Sequence, residues 1–263
     1  MSDKKLGIVV IHGMGAPTEH YAHKMIRKIN SHVSKKKKNP DTIGWKAIYW
    51  SPVTEEIQKK YLADAKKNNK LHFNRLREFI IRFLGDASAY QPLNDKGIYN
   101  GIHAHIQECI AAIYADLGKK DMPMIVLAHS LGTHIISCYI WDLMQKEKRN
   151  DPAVRDMSDF ERFKTITRFI TLGSTIPLFV FSQKLPIPIT LPATCKWHNY
   201  YDPDDILGWP LKPINNLFDK AVYEDKALQV GGLLTGWNPL SHLQYRTDNT
   251  FTELVADMIC EEL

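Results

Sequence analysis

The chain is expected to form an α/β protein with a mainly parallel central sheet covered by helices on both faces. Three observations carry that expectation. Short apolar, β-branched runs alternate with longer stretches whose apolar residues recur at helical spacing. The runs at 6–11 and 124–127 are apolar throughout, as strands buried on both faces must be. The 263 residues, 44% apolar and 24% charged, suffice for one domain with a sizeable core over 1–263.

The elements follow in order. Residues 6–11 read as a strand, about 18–34 as a helix, and 45–50 as a second strand. A long segment, 51–122, then carries three helical patterns. Ile57, Tyr61, Leu62 and Ala65 make one stripe. Phe73, Leu76, Phe79, Ile80, Phe83 and Leu84 make a stronger one, and Ile102, Ile106, Ile110, Ile113, Tyr114 and Leu117 a third. A crossover between parallel strands needs one helix, so the surplus is expected to be a helical insertion over about 51–100. It ends at 85–90, a turn or a place from which Asp86 or Tyr90 reaches a pocket. The run 124–127 is a strand, followed by a helix with Leu131, Ile135, Ile136, Tyr139, Ile140, Leu143 and Met144 on its apolar side. Residues 168–174 and 196–201 read as further strands. Phe251, Leu254, Val255, Met258 and Ile259 stripe a final helix.

The segment 176–192 is strongly apolar, yet four prolines break any long helix. It follows a strand end, where ligands bind in open α/β sheets. It is expected either to wall an apolar pocket, with Phe179 and Phe181 as lining candidates, or to form a satellite hydrophobic cluster. Trp209 and the stretch Gly236-Trp237-Asn238-Pro239 are candidates for the pocket rim, or turns.

Chemistry concentrates at Ala128-His129-Ser130-Leu131-Gly132. A strand precedes it and a helix follows. That context gives a small-x-Ser-x-Gly match structural meaning. Small residues at 128 and 132 leave room where strand and helix crowd together. A hydroxyl held at the helix N-terminus is placed to attack a carbonyl. Such an attack needs two backbone N–H groups aimed at the developing oxyanion. Leu131, after the serine, supplies one; Met14, in the loop His12-Gly13-Met14-Gly15 after the first strand, is chosen for the other.

Further along stand Asp202-Pro203-Asp204-Asp205-Ile206-Leu207 and Ser241-His242-Leu243. With the serine motif they give the order Ser, acid, His. In that order, in the elbow and in the His-Gly loop, the chain resembles the α/β-hydrolase superfamily of serine esterases and lipases, with Ala128 where the pattern has its first glycine. The resemblance spans nearly the whole chain. It implies a three-layer α/β-hydrolase fold and a carboxylic ester hydrolase working through an acyl-enzyme. Ser130 would be the nucleophile and His242 the general base and then acid. Asp205, just before an apolar pair, fits the orienting acid best. Asp204 and then Asp202 are the alternatives. His12 would support its loop by hydrogen bonding, and His129 is read as a packing or supporting residue. The same triad would serve a thioesterase, amidase or acyltransferase, and the fold alone would serve a non-catalytic binding protein.

No metal or organic cofactor is implied. Cys109, Cys138, Cys195 and Cys260 lack the spacing of metal sites, and with no leader segment they suggest a reduced, cytoplasmic setting. No apolar run approaches the ~20 residues that span a bilayer. The net charge of +5 is concentrated at Lys35 to Lys38 and at Lys59, Lys60, Lys66, Lys67 and Lys70. These lysines read as a solvated loop and helix face rather than as a peripheral membrane contact. No nucleic-acid motif accompanies them. The expected partner is a small ester with an apolar acyl group.

Overall fold

The computed structural model describes residues 3–14, 18–69, 72–91, 97–181, 183–230 and 241–263; Gly15, Lys70, Gly236, Trp237, Asn238 and Pro239 lie outside them. In chain order it builds β1 (Leu6–Ile11), α1 (His23–Lys35), β2 (Ile43–Ile48), α2 (Pro52–Asn68), α3 (Asn74–Ala89), α4 (Gly97–Asp116) and β3 (Met124–His129). Then follow α5 (Leu131–Lys148), β4 (Ile166–Leu172), α6 (Ile176–Val180), β5 (Lys196–Tyr201), α7 (Asn216–Ala221), β6 (Glu224–Ala227) and α8 (Asn249–Glu262).

The six strands form one sheet in the order β2-β1-β3-β4-β5-β6, and every neighbouring pair runs parallel. Alternate side chains leave opposite faces of a strand, and β1 divides accordingly. Leu6, Ile8 and Val10 join Met25 and Ile29 of α1 and Phe251 and Val255 of α8 in one core. Val9 and Ile11 join Ile106 and Ile110 of α4 and Ile135 and Ile136 of α5 in the other. The result is a three-layer α/β architecture, helices over both faces. The strand order reverses between β1 and β3, since the chain first steps outward to β2 and then back past β1. Loops leaving the carboxyl ends of β1 and β3 therefore face each other across the crevice where such sheets take ligands. Among the described residues no helix is long and apolar enough to cross a membrane.

The structure departs from the sequence reading in several places. Strand β2 begins two residues earlier than expected and stops before Trp50, whose indole instead donates to the His12 carbonyl at 2.9 Å. Helix α4 is the crossover helix, so the surplus helices are α2 and α3. Their predicted apolar stripes are only partly buried: Leu62 is covered, while Ile57, Tyr61, Ile80 and Leu84 are exposed. The side chains of Leu76, Phe79 and Phe83 lie outside the description. The pair is joined by polar contacts instead, Thr54 and Gln58 donating to Asp86 and Lys66 meeting Glu78. Residues 85–89 are the last turn of α3, not a loop. Asp86 serves that seam, and the Tyr90 hydroxyl meets His103 and the Ile135 carbonyl. The sequence reading also missed β6. Its residues Glu224-Asp225-Lys226-Ala227 are polar because it is a short edge strand, and a charged edge strand carries no apolar signal.

Candidate active site

Ser130 stands between β3 and α5 with φ 55° and ψ −130°. L-residues resist positive φ, and such strain persists only when the surroundings impose it. Here they do. The Ser130 N–H donates to the Leu172 carbonyl of β4 at 2.9 Å, and its own carbonyl accepts the Thr133 N–H at 2.9 Å and the Thr133 hydroxyl at 2.7 Å.

Two glycines make the crowding tolerable. A Cβ on Gly132 would stand 2.4 Å from the His12 carbonyl oxygen, and one on Gly13 would stand 2.2 Å from Ser130 Cβ. The loop after β1 thus lies directly against Ser130. Leu131 opens α5, where an N–H has no partner within the helix. Met14 follows Gly13 and is buried. Both oxyanion candidates therefore sit on backbone beside Ser130. Gly15 lies outside the described residues.

His242 lies in the 3-10 turn Ser241–Leu243. Its Nε2 is 2.6 Å from Ser130 Oγ, and its Nδ1 is 2.7 Å from Asp205 Oδ2. Asp205 Oδ2 also accepts the Tyr245 hydroxyl at 2.8 Å, while Oδ1 accepts the Leu207 N–H at 3.0 Å. Burial works against the Asp205 charge, but the His242 and Leu207 donors together with Tyr245 outweigh it and hold the carboxyl below its ordinary value. The other two acids have different work. Asp202 accepts the Asp204 N–H (2.9 Å) and the Val230 N–H (2.7 Å) and so clamps the loop, while Asp204 is exposed.

Two further histidines surround the site as neutral rings. His12 donates Nδ1–H to the Gly13 carbonyl at 2.6 Å and accepts the Trp50 N–H on Nε2 at 3.3 Å, and burial lowers its pKa to about 3. His129 donates Nε2–H to the His242 carbonyl at 2.7 Å, and burial holds its pKa well below the usual imidazole range. It thereby positions the backbone of the residue that meets Ser130. Tyr245 was missed by sequence reasoning. Its hydroxyl bridges the Asp205 carboxylate and the Asp202 N–H, the latter at 2.7 Å. The only signal was its spacing, three residues after His242, which places both side chains on one side of consecutive 3-10 turns.

The candidate pocket residues lie elsewhere than expected. An apolar cavity of about 340 Å³ is lined by Ile176, Val180 and Ile189 of the predicted segment, with His134 and Trp141 of α5. Phe179, Phe181 and Trp209 are not among its lining residues. Ile176 and Val180 stand one turn apart on the inner side of α6. Phe179 instead stacks on the His134 ring, at 4.2 Å between centroids, and Phe181 is 69% exposed. The Trp209 ring is also exposed, while its N–H ties the acid loop to the Ser174 carbonyl. Among the described residues no three His, Cys, Asp or Glu side chains form a set that could hold a metal. In comparisons with known proteins, no family model and no curated protein sequence matches this chain.

Two expectations follow. Ser130→Gly should be more stable than Ser130→Ala by about 1 kcal/mol, because only alanine keeps a Cβ on the strained backbone; equal urea midpoints would contradict the strain. The second concerns acid. Burial lowers His103 and His134 to about 4 and His12 to about 3, against an ordinary 6.5. Below about pH 6.5 the unfolded chain takes up protons that the folded chain refuses, so stability falls as pH falls. Each histidine contributes about 1.4 kcal/mol per pH unit until its folded value is reached. Urea unfolding should show a steep loss between pH 6.5 and 5, and a flat profile there would refute the neutral assignment.

Proposed function

We propose that the chain is a serine hydrolase of the α/β-hydrolase superfamily that cleaves a carboxylic ester through an acyl-enzyme on Ser130. The observation that carries this reading is the continuous path from Ser130 Oγ through His242 to Asp205, with contacts of 2.6 and 2.7 Å. Its position at the reversal of strand order adds support.

The chemistry follows from the geometry. Ser130 Oγ attacks the ester carbonyl carbon as its proton passes to His242 Nε2. The carbonyl oxygen takes up the negative charge and is met by the Leu131 and Met14 N–H groups. Asp205 accepts the Nδ1–H bond and stabilises the imidazolium. Collapse breaks the bond to the alcohol oxygen, which leaves with the proton from His242. Water then attacks the acyl-enzyme by the same steps and frees Ser130. The acyl group is assigned to the apolar cavity. His134, on its wall, follows Ser130 by one helical turn, about 6 Å along the α5 axis. A reducing, cytoplasmic setting is part of the proposal and accords with four unpaired cysteines.

A fluorophosphonate probe should label the protein at Ser130, and Ser130→Ala should lose both label and ester turnover. A labelled alanine variant would reject the assignment. Asp205→Asn should lower kcat by roughly 10⁴-fold; a comparable loss from Asp202→Asn or Asp204→Asn, with Asp205→Asn active, would move the acid elsewhere. Tyr245→Phe should lower kcat by about tenfold with KM unchanged, the loss of one hydrogen bond to the charged carboxylate. Unaltered kcat would remove Tyr245 from the positioning of Asp205.

A further inference from the structure

Arg246 is a cation that the proposed chemistry does not use. It lies in the 3-10 turn Tyr245–Thr247, one residue beyond the tyrosine that meets Asp205. Its guanidinium carbon stands over the Tyr21 ring, 5.6 Å from the centroid. Tyr21 is itself anchored. Its hydroxyl reaches the Val10 carbonyl of β1 at 2.8 Å and the Ile48 carbonyl of β2 at 3.2 Å, and its ring meets the His12 ring edge-on at 4.8 Å. A flat cation laid on a fixed aromatic face keeps its N–H groups for another partner.

The surroundings of Arg246 point to an anion. Among the described residues it forms no ion pair and no hydrogen bond, and the segments 15–17 and 231–240 contain no acidic residue. Burial lowers its pKa from the ordinary guanidinium value, and among the described residues no carboxylate is near enough to oppose that. A charge drawn out of water without a counter-charge is destabilising until an anion meets it. The residue is only half-buried, so a ligand can reach it. Arg82 Nη1 and Arg162 Nε are enclosed without partners, whereas no nitrogen of Arg246 is. Its charge is also felt by the rings of His12 and His129. These residues directly precede Gly13 and Ser130, which lie against each other.

We propose that Arg246 binds a carboxylate on the alcohol portion of the substrate, which is then an ester between an apolar acid and a hydroxy acid. The inference rests on the hydrolase reading of Ser130. The two cores give the direction. Tyr21 and Tyr245 pack with α1 and α8, whereas Ile176 and Val180, on the cavity assigned to the acyl group, pack in the other core. Ser130 stands at the strand ends between them. An ester lying across Ser130 with its acyl chain toward α5 and α6 turns its alcohol toward Arg246. The forked N–H groups match the two oxygens of a carboxylate. One cation, with no second in range among the described residues, suits a monoanion rather than a phosphate dianion. During acyl transfer the ester C–O bond breaks and the alcohol oxygen leaves with the His242 proton. The carboxylate stays ionised on Arg246 throughout.

Turnover and binding test this separately on the full chain. The butanoyl esters of glycolate and 4-hydroxybutanoate are compared with those of the matching hydroxy amides, which keep the shape and lose the charge. At least one acid should exceed its amide in kcat/KM by about tenfold or more. In Arg246→Gln that ratio should fall to about one. Arg246→Lys should keep an intermediate ratio, because an ammonium has the charge without the fork. An arginine with only a structural role would lower acid and amide alike and leave the ratio as it was, which would overturn the proposal. The corresponding ethers, with CH2 for the ester carbonyl, cannot be cleaved and are titrated calorimetrically. The ether acid should bind the parent more tightly than the ether amide and lose that advantage in Arg246→Gln. Should neither variant fold, the parent alone decides, and an acid-to-amide ratio of one in both turnover and binding sinks the proposal. If Ser130 takes a fluorophosphonate while that ratio is one, the hydrolase reading stands and Arg246 has no part in it. If an ether acid binds through Arg246 and no ester is cleaved, the anion site stands and the hydrolase reading falls.

Discussion

The backbone of Ser130 is held where a side chain does not choose to be, and the surrounding structure is arranged to keep it there. Strand β3 runs into α5 through a single residue, with φ 55°. Its N–H is tied sideways to β4 and its carbonyl forward to Thr133. The first turn of α5 then presses on the His12 carbonyl so closely that position 132 has no space for a methyl group. Release of this turn would swing the hydroxyl away from His242 Nε2. A parallel sheet with both faces covered supplies the rigidity to resist that release, because the strands on either side of β3 are themselves buried.

Charge is handled with equal economy. Three histidines cluster near Ser130, and hydrogen bonding gives each its own task. His12 and His129, kept neutral by burial, serve as fixed donors to backbone carbonyls. Only His242 faces both a hydroxyl and a carboxylate. In the proposed reaction, neutral neighbours would spare it the repulsion that a second imidazolium would exert as it took the serine proton. On the far side, Tyr245 gives Asp205 an additional donor and so lowers the need for water around that buried carboxylate.

Much of this was legible in the residues themselves. Apolar runs located β1 and β3, and the helical stripe after Ser130 located α5. The small residues at 128 and 132 announced a tight turn, and the structure brings Ser130, Asp205 and His242 together as the order of motifs implied. What could not be read depended on partners distant in the chain. The polar strand β6 is a strand only because β5 pairs with it, and Asp225 there accepts from Asn199 and from the Leu211 and Lys212 N–H groups. Tyr245 carries no local mark of its contact with Asp205. Phe179 and Phe181 lie in the apolar segment expected to wall a pocket, but the direction of each side chain around α6 decides that Ile176 and Val180 face the cavity.

Tyr245 has one further implication. Its hydroxyl, the ring of His242 and the carbonyl that accepts the His129 Nε2–H all belong to a short stretch that leads into α8, whereas Ser130 rides on the central strands. The imidazole, the hydroxyl that meets Asp205 and the carbonyl that meets His129 therefore share one attachment to the fold. Should that attachment lift by a local fluctuation, all three would depart at once while the sheet stayed intact. Warming would then part His242 from Ser130 before the circular dichroism of the sheet changed, and cooling would reunite them without refolding.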